Sequence, residues 1–128
     1  MNTLRSSICH ILGCDVPIVL AGMGGPARAE LVAAVSNAGG YGFLGMVRES
    51  PELIAREIAA VRRHTSLPFG VNLIPAATDR TLLEAELRAC LDASIAAVTL
   101  FWDLAPDIVR RLQDAGITVV CQIGSAAE

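Results

Sequence analysis

Three features of this 128-residue chain combine residue types suited to holding a ligand. The first is Pro17-Ile18-Val19-Leu20-Ala21-Gly22-Met23-Gly24-Gly25-Pro26, an apolar run that breaks into glycines just before a helical pattern. Glycine lets a backbone turn sharply and approach a ligand closely, because no Cβ intervenes. Met23 adds a soft, polarizable side chain suited to covering a flat apolar ring. The plainer reading of the same stretch is a bare strand-to-helix turn. The other two features are lone amides: Asn72 within the apolar residues 68–75, and Gln122 near the end of residues 117–123. A buried amide needs partners for both its carbonyl and its amino group, and either neighbouring backbone or a ligand supplies them. Ala21, Gly22, Met23, Gly24, Asn72 and Gln122 are thus candidates for binding, and none is a catalytic acid or base. Trp102 and Asp103 also end an apolar run; side-chain packing and helix capping are their plainer roles.

Other chemistry is poorly represented. The four cysteines, Cys9, Cys14, Cys90 and Cys121, include no Cys-x-x-Cys pair, and the last two fall inside apolar patterns. They read as reduced packing residues of a cytoplasmic protein, with no metal site. His10 and His64 have no neighbours at metal-ligand spacing. A net charge of −3 gives no reason to expect nucleic acid or an anionic membrane as partner. With 53% hydrophobic and 18% charged residues and no apolar run of spanning length, the chain reads as a soluble domain. The segment Ile11-Leu12-Gly13-Cys14 looks loosely like a lipoprotein cleavage site, but Ser6, Ser7 and His10 interrupt the apolar stretch such a signal needs.

The elements that must position these residues alternate. Residues 2–12 predict a short helix with Leu4, Ile8, Ile11 and Leu12 on one side and Gly13 as its stop. Residues 18–21 form the first strand, apolar on both faces as in helix-covered parallel sheets. Pro26 is expected in the first turn of the next helix, with Glu30 early and a stripe of Leu31, Val32, Val35 and Ala38 ending at Gly39. Residues 41–46 form the second strand, whose internal glycines imply a close neighbour, either backbone or ligand. Ser50-Pro51-Glu52 opens a helix with Ile54, Ile58 and Val61 inward and a Glu52–Arg56 pair outward. Residues 68–75 are the third strand. Thr78 or Asp79 caps a helix with the stripe Leu83, Leu87, Cys90 and Leu91. Residues 97–103 form the fourth strand. Pro106-Asp107 opens a helix with Ile108, Val109 and Leu112 inward, an Asp107–Arg111 pair, and Gly116 as cap. Residues 117–123 form the fifth strand, and Ser125 with Glu128 has the spacing of a further helix start.

This βα alternation demands an α/β fold with parallel strands and right-handed crossovers. In such folds ligands sit at the carboxyl ends of the strands, where the glycine turn and both amides fall. A closed barrel of eight strands takes about 250 residues. The expected domain, residues 1–128, is accordingly the first half of a TIM (β/α)8 barrel: five strands and four connecting helices, ending after the fifth strand.

The glycine-turn motif, then Glu30-Leu31-Val32-Ala33-Ala34-Val35-Ser36-Asn37-Ala38-Gly39-Gly40-Tyr41-Gly42-Phe43-Leu44-Gly45, then Pro68-Phe69-Gly70-Val71-Asn72-Leu73, resembles the nitronate monooxygenase family, formerly called 2-nitropropane dioxygenases. Flavin-dependent enoyl reductases share much of the pattern. The resemblance implies a TIM barrel with FMN at the carboxyl ends of the strands. The backbone of Ala21, Gly22, Met23 and Gly24 would face the flavin ring, and Asn72 and Gln122 would hydrogen-bond it. It implies oxidation of alkyl nitronates by O2 to a carbonyl compound and nitrite. The family's histidine base and phosphate-binding loops belong to later strands, and neither His10 nor His64 matches that base. The chain is therefore expected to supply one wall of the site, and to depend on a complementary C-terminal half or on a second copy of itself. A non-catalytic open α/β module that binds a ligand or a subunit is the alternative.

Overall fold

The computed structural model describes residues 4–127. Five parallel strands, β1 (Val19–Leu20), β2 (Tyr41–Gly45), β3 (Gly70–Leu73), β4 (Ala97–Leu100) and β5 (Thr118–Cys121), lie in the order β1-β2-β3-β4-β5. Each neighbour in space is the neighbour in sequence, which is how a barrel grows; a doubly wound open sheet reverses its order partway. Helices α2 (Ala29–Asn37), α3 (Pro51–His64), α4 (Arg80–Asp92) and α5 (Pro106–Asp114) make the crossovers. The fold is the half-barrel expected from the alternation.

The sheet has two differently filled faces. Leu44, Val71, Leu73, Val98 and Leu100 join Val32, Ile54, Ile58, Val61, Leu87 and Leu112 of the helices in the main core. The opposite, concave face carries a smaller cluster of Tyr41, Phe43 and Ala97 with Cys9, Leu12 and Cys14. Helix α1 (Ser7–Leu12) plugs the amino-terminal end of this concavity. That placement corrects the expected face of the first helix. Cys9 and Leu12 are buried, whereas Leu4 and Ile11 are more than half exposed. The helix packs on one end of a curved sheet and so buries a narrower stripe than a crossover helix does. The expected helical residues 2 and 3 lie outside the described residues.

Local chemistry explains where the crossover helices start. Ser50 caps α3, its Oγ accepting from Leu53 N at 3.2 Å, and Pro51 follows at the first helical position. Ser50→Ala should cost about 1 kcal/mol, measured as a lowered urea midpoint with an unchanged slope. Asp79, not Thr78, caps α4 by accepting from Thr81 N and Leu82 N. Pro26 lies outside α2, which begins at Ala29 because Glu57 Oε2 of α3 accepts its first amide at 3.0 Å. The buried stripe of α2 is Ala29, Val32, Ala33 and Ser36, and Leu31 faces solvent. Ser36 turns inward because its hydroxyl donates to Pro68 O at 3.2 Å.

The pairs expected within helices give way to other partners. Glu52–Arg56 is not an ion pair among the described residues, and Arg111 reaches across to Glu84 while Asp107 holds Arg110. All of these are surface pairs of small energetic weight. Ile18 and Val19, expected to be covered on both faces, are 61% and 45% exposed because β1 is a sheet edge. Trp102 is also exposed; it sits at φ 69°, its ring 5.5 Å from that of Phe101. Residues 124–127 form a bend and turn with no helix, and Glu128, their expected capping partner, lies outside the described residues. No helix among the described residues is long and apolar enough to cross a membrane.

Candidate functional site

At the carboxyl end of the sheet, the segments that leave β1, β3 and β5 enclose a cleft of about 410 Å³. Ala21, Gly22, Met23, Asn72 and Gln122 all line it, together with Val19, Phe43, Thr99, Phe101 and Val120. Five of the six candidates therefore share one cavity. Gly24 does not line it, and a Cβ there would meet nothing within 4 Å. Trp102 and Asp103 are absent from the lining as well. Asp103 Oδ1 accepts from Ala105 N at 3.1 Å, an Asx turn ahead of α5 in place of the expected helix cap.

Register explains how one side chain from each central strand reaches the cleft. Asn72 pairs with Thr99 across β3 and β4, and Thr99 with Val120 across β4 and β5. Side chains alternate faces along a strand, so residues in one register row project to the same side. Gln122 follows one step beyond β5, its N–H donating to Leu100 O at 3.1 Å, with its side chain exposed at the rim.

Asn72 ties the glycine turn to the sheet. Its Nδ2 donates to Gly22 O at 3.2 Å, and it is buried. Among the described residues nothing donates to its Oδ1, which leaves one acceptor at the cleft. Both readings of this amide thus have a share: half of it serves the backbone and half remains open. Gly22 is required by packing, since a Cβ there would lie 2.2 Å from Asn72 Cβ. Asn72→Ala should lower stability by about 1–2 kcal/mol and loosen the turn, which amide exchange at Gly22 and Met23 would report.

No Asp, Glu, His, Lys or Arg is among the lining residues. The cleft is a neutral, largely apolar surface with two amides. It suits a flat heteroaromatic ring and offers nothing to a phosphate. Cys121, its one thiol, is held above the usual range by burial. His10 and His64 are both remote from it, His64 lying at the C-terminal end of α3. A larger depression of about 880 Å³ runs between α3 and α4 on the outer surface, lined mainly by alanines and arginines, and holds none of the candidates.

Sequence reasoning missed one titratable group, Glu86 of α4. It is fully buried, and neither carboxyl oxygen has a hydrogen-bond partner of good geometry. Burial pushes it up to about 7; the nearby amides of Arg48 and Glu49 counter this in part, and the Glu49 charge adds to it. Those amides flank a residue at φ 59°, a left-handed turn that aims successive N–H groups at an anion. The same loop holds the back of the glycine turn, through a 2.5 Å ion pair from Glu49 to Arg28, the residue just before α2. A signal was available: Leu83, Glu86, Leu87 and Cys90 have i, i+3, i+4, i+7 spacing, so a carboxyl stood inside an apolar stripe.

Known proteins resemble the chain along almost its whole length. It is 35% identical over 126 residues to the (3aS,4S,5R,7aS)-5-hydroxy-7a-methyl-1-oxo-octahydro-1H-indene-4-carboxyl-CoA dehydrogenase of Mycobacterium tuberculosis, covering 96% of this chain and 34% of that protein. A probable nitronate monooxygenase of Staphylococcus haemolyticus is 48% identical over 69 residues, 54% of this chain and 19% of the relative. Among solved structures, FabK from Thermotoga maritima superposes with a TM-score of 0.90 at 28% identity, covering 98% of this chain and 39% of that one. The chain spans about a third of the length of the relatives that match it end to end. Residues 5–128 match the family model described as nitronate monooxygenase, and the chain belongs to that family of oxidoreductases.

Proposed function

We propose that this chain supplies one wall of an FMN site in an enzyme that oxidises alkyl nitronates with dioxygen to a carbonyl compound and nitrite. The observation that carries the reading is the convergence of Ala21, Gly22, Met23, Asn72 and Gln122 on one uncharged cleft at the carboxyl end of the sheet. FMN would supply the redox chemistry there. The glycine turn and Met23 would pack against its ring, Asn72 Oδ1 would accept from a ring N–H, and Gln122 would close the rim. Since no cation lines the cleft, the phosphate anchor and the catalytic base must come from outside this wall. The complementary half of the barrel, or a second copy of the chain, is the proposed source.

A second reading is favoured by the relatives that span nearly the full chain, one of which is named as a dehydrogenase of a carboxyl-CoA compound. Here the same wall would serve dehydrogenation or reduction of a thioester-linked substrate. One experiment separates the two. The chain is combined with the C-terminal part of a family relative in the presence of FMN, and oxygen uptake and nitrite release are followed with a short alkyl nitronate. Turnover of the nitronate supports the first reading. Nicotinamide- or acyl-CoA-dependent turnover without nitrite would replace it with the second.

A further inference from the structure

Two of the four cysteines form a pair that the spacing alone does not announce. Cys9 and Cys14 stand on either side of the turn that ends α1. Gly13 N and Cys14 N both donate to Cys9 O, at 2.8 and 3.0 Å, with Gly13 at φ 73°. A direct N–H···O bond between two residues brings their Cα atoms to about the separation a disulfide spans. In this kind of helix ending the side chains at the two ends of the long bond touch. Here both are thiols, both are buried, and both belong to the same small cluster under α1. Cys90 lies apart in the main core and Cys121 on β5, so the pairing is selective.

The two sulfurs are not equivalent. Ser6 faces Cys9: hydrogen bonding from its backbone chiefly holds this thiol below its usual range, with its hydroxyl 3.9 Å from Sγ and the Arg5 charge helping. Burial mainly raises Cys14, and its neighbour Cys9 and the Asp15 charge act the same way. Packing alone accounts for two small apolar side chains at these positions. It does not call for two adjacent sulfurs with opposite environments.

We propose that Cys9 and Cys14 are a reversible thiol-oxidation site, in which a peroxide attacked by Cys9 leads to an intrachain disulfide with Cys14. The Cys9 sulfur attacks one peroxide oxygen, the O–O bond breaks, and the Cys9 thiol proton leaves with the departing oxygen as water. Cys14 then attacks the resulting sulfenic acid: the S–S bond forms, the S–O bond breaks, and a second water departs with the Cys14 proton. Two thiols lose two electrons and two protons, and hydrogen peroxide becomes two waters. Because Cys9 is fully buried, reaction waits on local opening of α1, a helix of only six residues. The product is a covalent tie across the plug at the closed end of the concave face. It is independent of what the cleft at the other end binds.

The test treats the native chain with hydrogen peroxide, removes the peroxide, blocks remaining thiols with N-ethylmaleimide in urea so that the buried ones react, and maps the tryptic peptide from Ser6 to Arg28, which contains both residues. The expected result is a fall from four blocked thiols to two, with that peptide two hydrogens lighter, restored by dithiothreitol and abolished in Cys14→Ser. Should the variant fail to fold, thiol-exchange equilibria on the unmodified chain decide the matter. The folded state is expected to favour the disulfide at least tenfold over the urea-unfolded state, about 30 mV in reduction potential. Oxidation at Cys121 with Cys9 and Cys14 left as thiols would overturn the proposal. So would a linked peptide that forms only in urea, or equal potentials in the two states.

Discussion

Glu86→Gln should stabilise the protein by about 2 kcal/mol at pH 8 and leave it nearly unchanged at pH 4.5. The reason is the cost of holding a buried carboxylate. A side chain that titrates at about 7 in the fold and at 4.5 in the unfolded chain penalises the ionised fold by about 3 kcal/mol. The sign follows from proton binding. Below the unfolded value both states are protonated and no penalty exists. Between 4.5 and about 7 the unfolded chain loses its proton first, so stability falls as pH rises, and above about 7 the penalty is complete. Glutamine keeps the shape and an acceptor for the Arg48 and Glu49 amides, but not the charge. For a chain of this length the gain corresponds to roughly 7 °C in melting temperature at pH 8. Melting curves of both proteins from pH 4.5 to 8.5 check it: the gap should open as pH rises from 4.5 to about 7 and hold constant above that. A constant gap would mean that Glu86 is ionised at no such cost.

The second large effect is expected at Gly45, the last residue of β2. A Cβ built there falls 2.3 Å from Met23 O and 2.4 Å from Met23 C, with Gly24 N at 2.9 Å. The neighbour is backbone, which cannot rotate away, and it belongs to the glycine turn itself. Gly45 N also donates to Ala27 O at 3.0 Å, so turn and strand are locked face to face. Gly45→Ala should therefore cost about 3 kcal/mol and push the turn toward the cleft. Gly24→Ala is the control: its Cβ meets nothing, and stability should change by less than about 0.5 kcal/mol. Urea denaturation of the two variants would show the contrast, and equal losses would contradict this account of the turn.

These two sites mark the boundary of what residue order can tell. Ser50-Pro51 with Ile54, Ile58 and Val61 was legible because cap and stripe lie within one helix and depend on nothing distant. The alternation of elements was legible for the same reason, and it carried the half-barrel. The glycines of β2 announced a close neighbour, but not that Gly45 meets the backbone of Met23. Partners from other elements were invisible: Glu57 capping α2, Glu84 taking Arg111 from Asp107, and the loop amides over Glu86. The face of α1 was misread because periodicity says which residues share a side, not what that side rests on. At the cleft, the strand ends bring Asn72 and Gln122 together as their positions in the strands imply, and Gly24 lies outside the lining because the turn carries it away.

The central claim is that the carboxyl-end cleft is a wall for a flavin ring and not for its phosphate. An NMR titration of the isotopically labelled chain with FMN and, separately, with lumiflavin tests this most directly. The account predicts shifts of the Ala21, Gly22 and Met23 amides and of the Asn72 and Gln122 side-chain amides. Their size should be similar for the two compounds, because no cation lines the cleft. Shifts confined to the groove between α3 and α4, or a response that requires the phosphate, would contradict it.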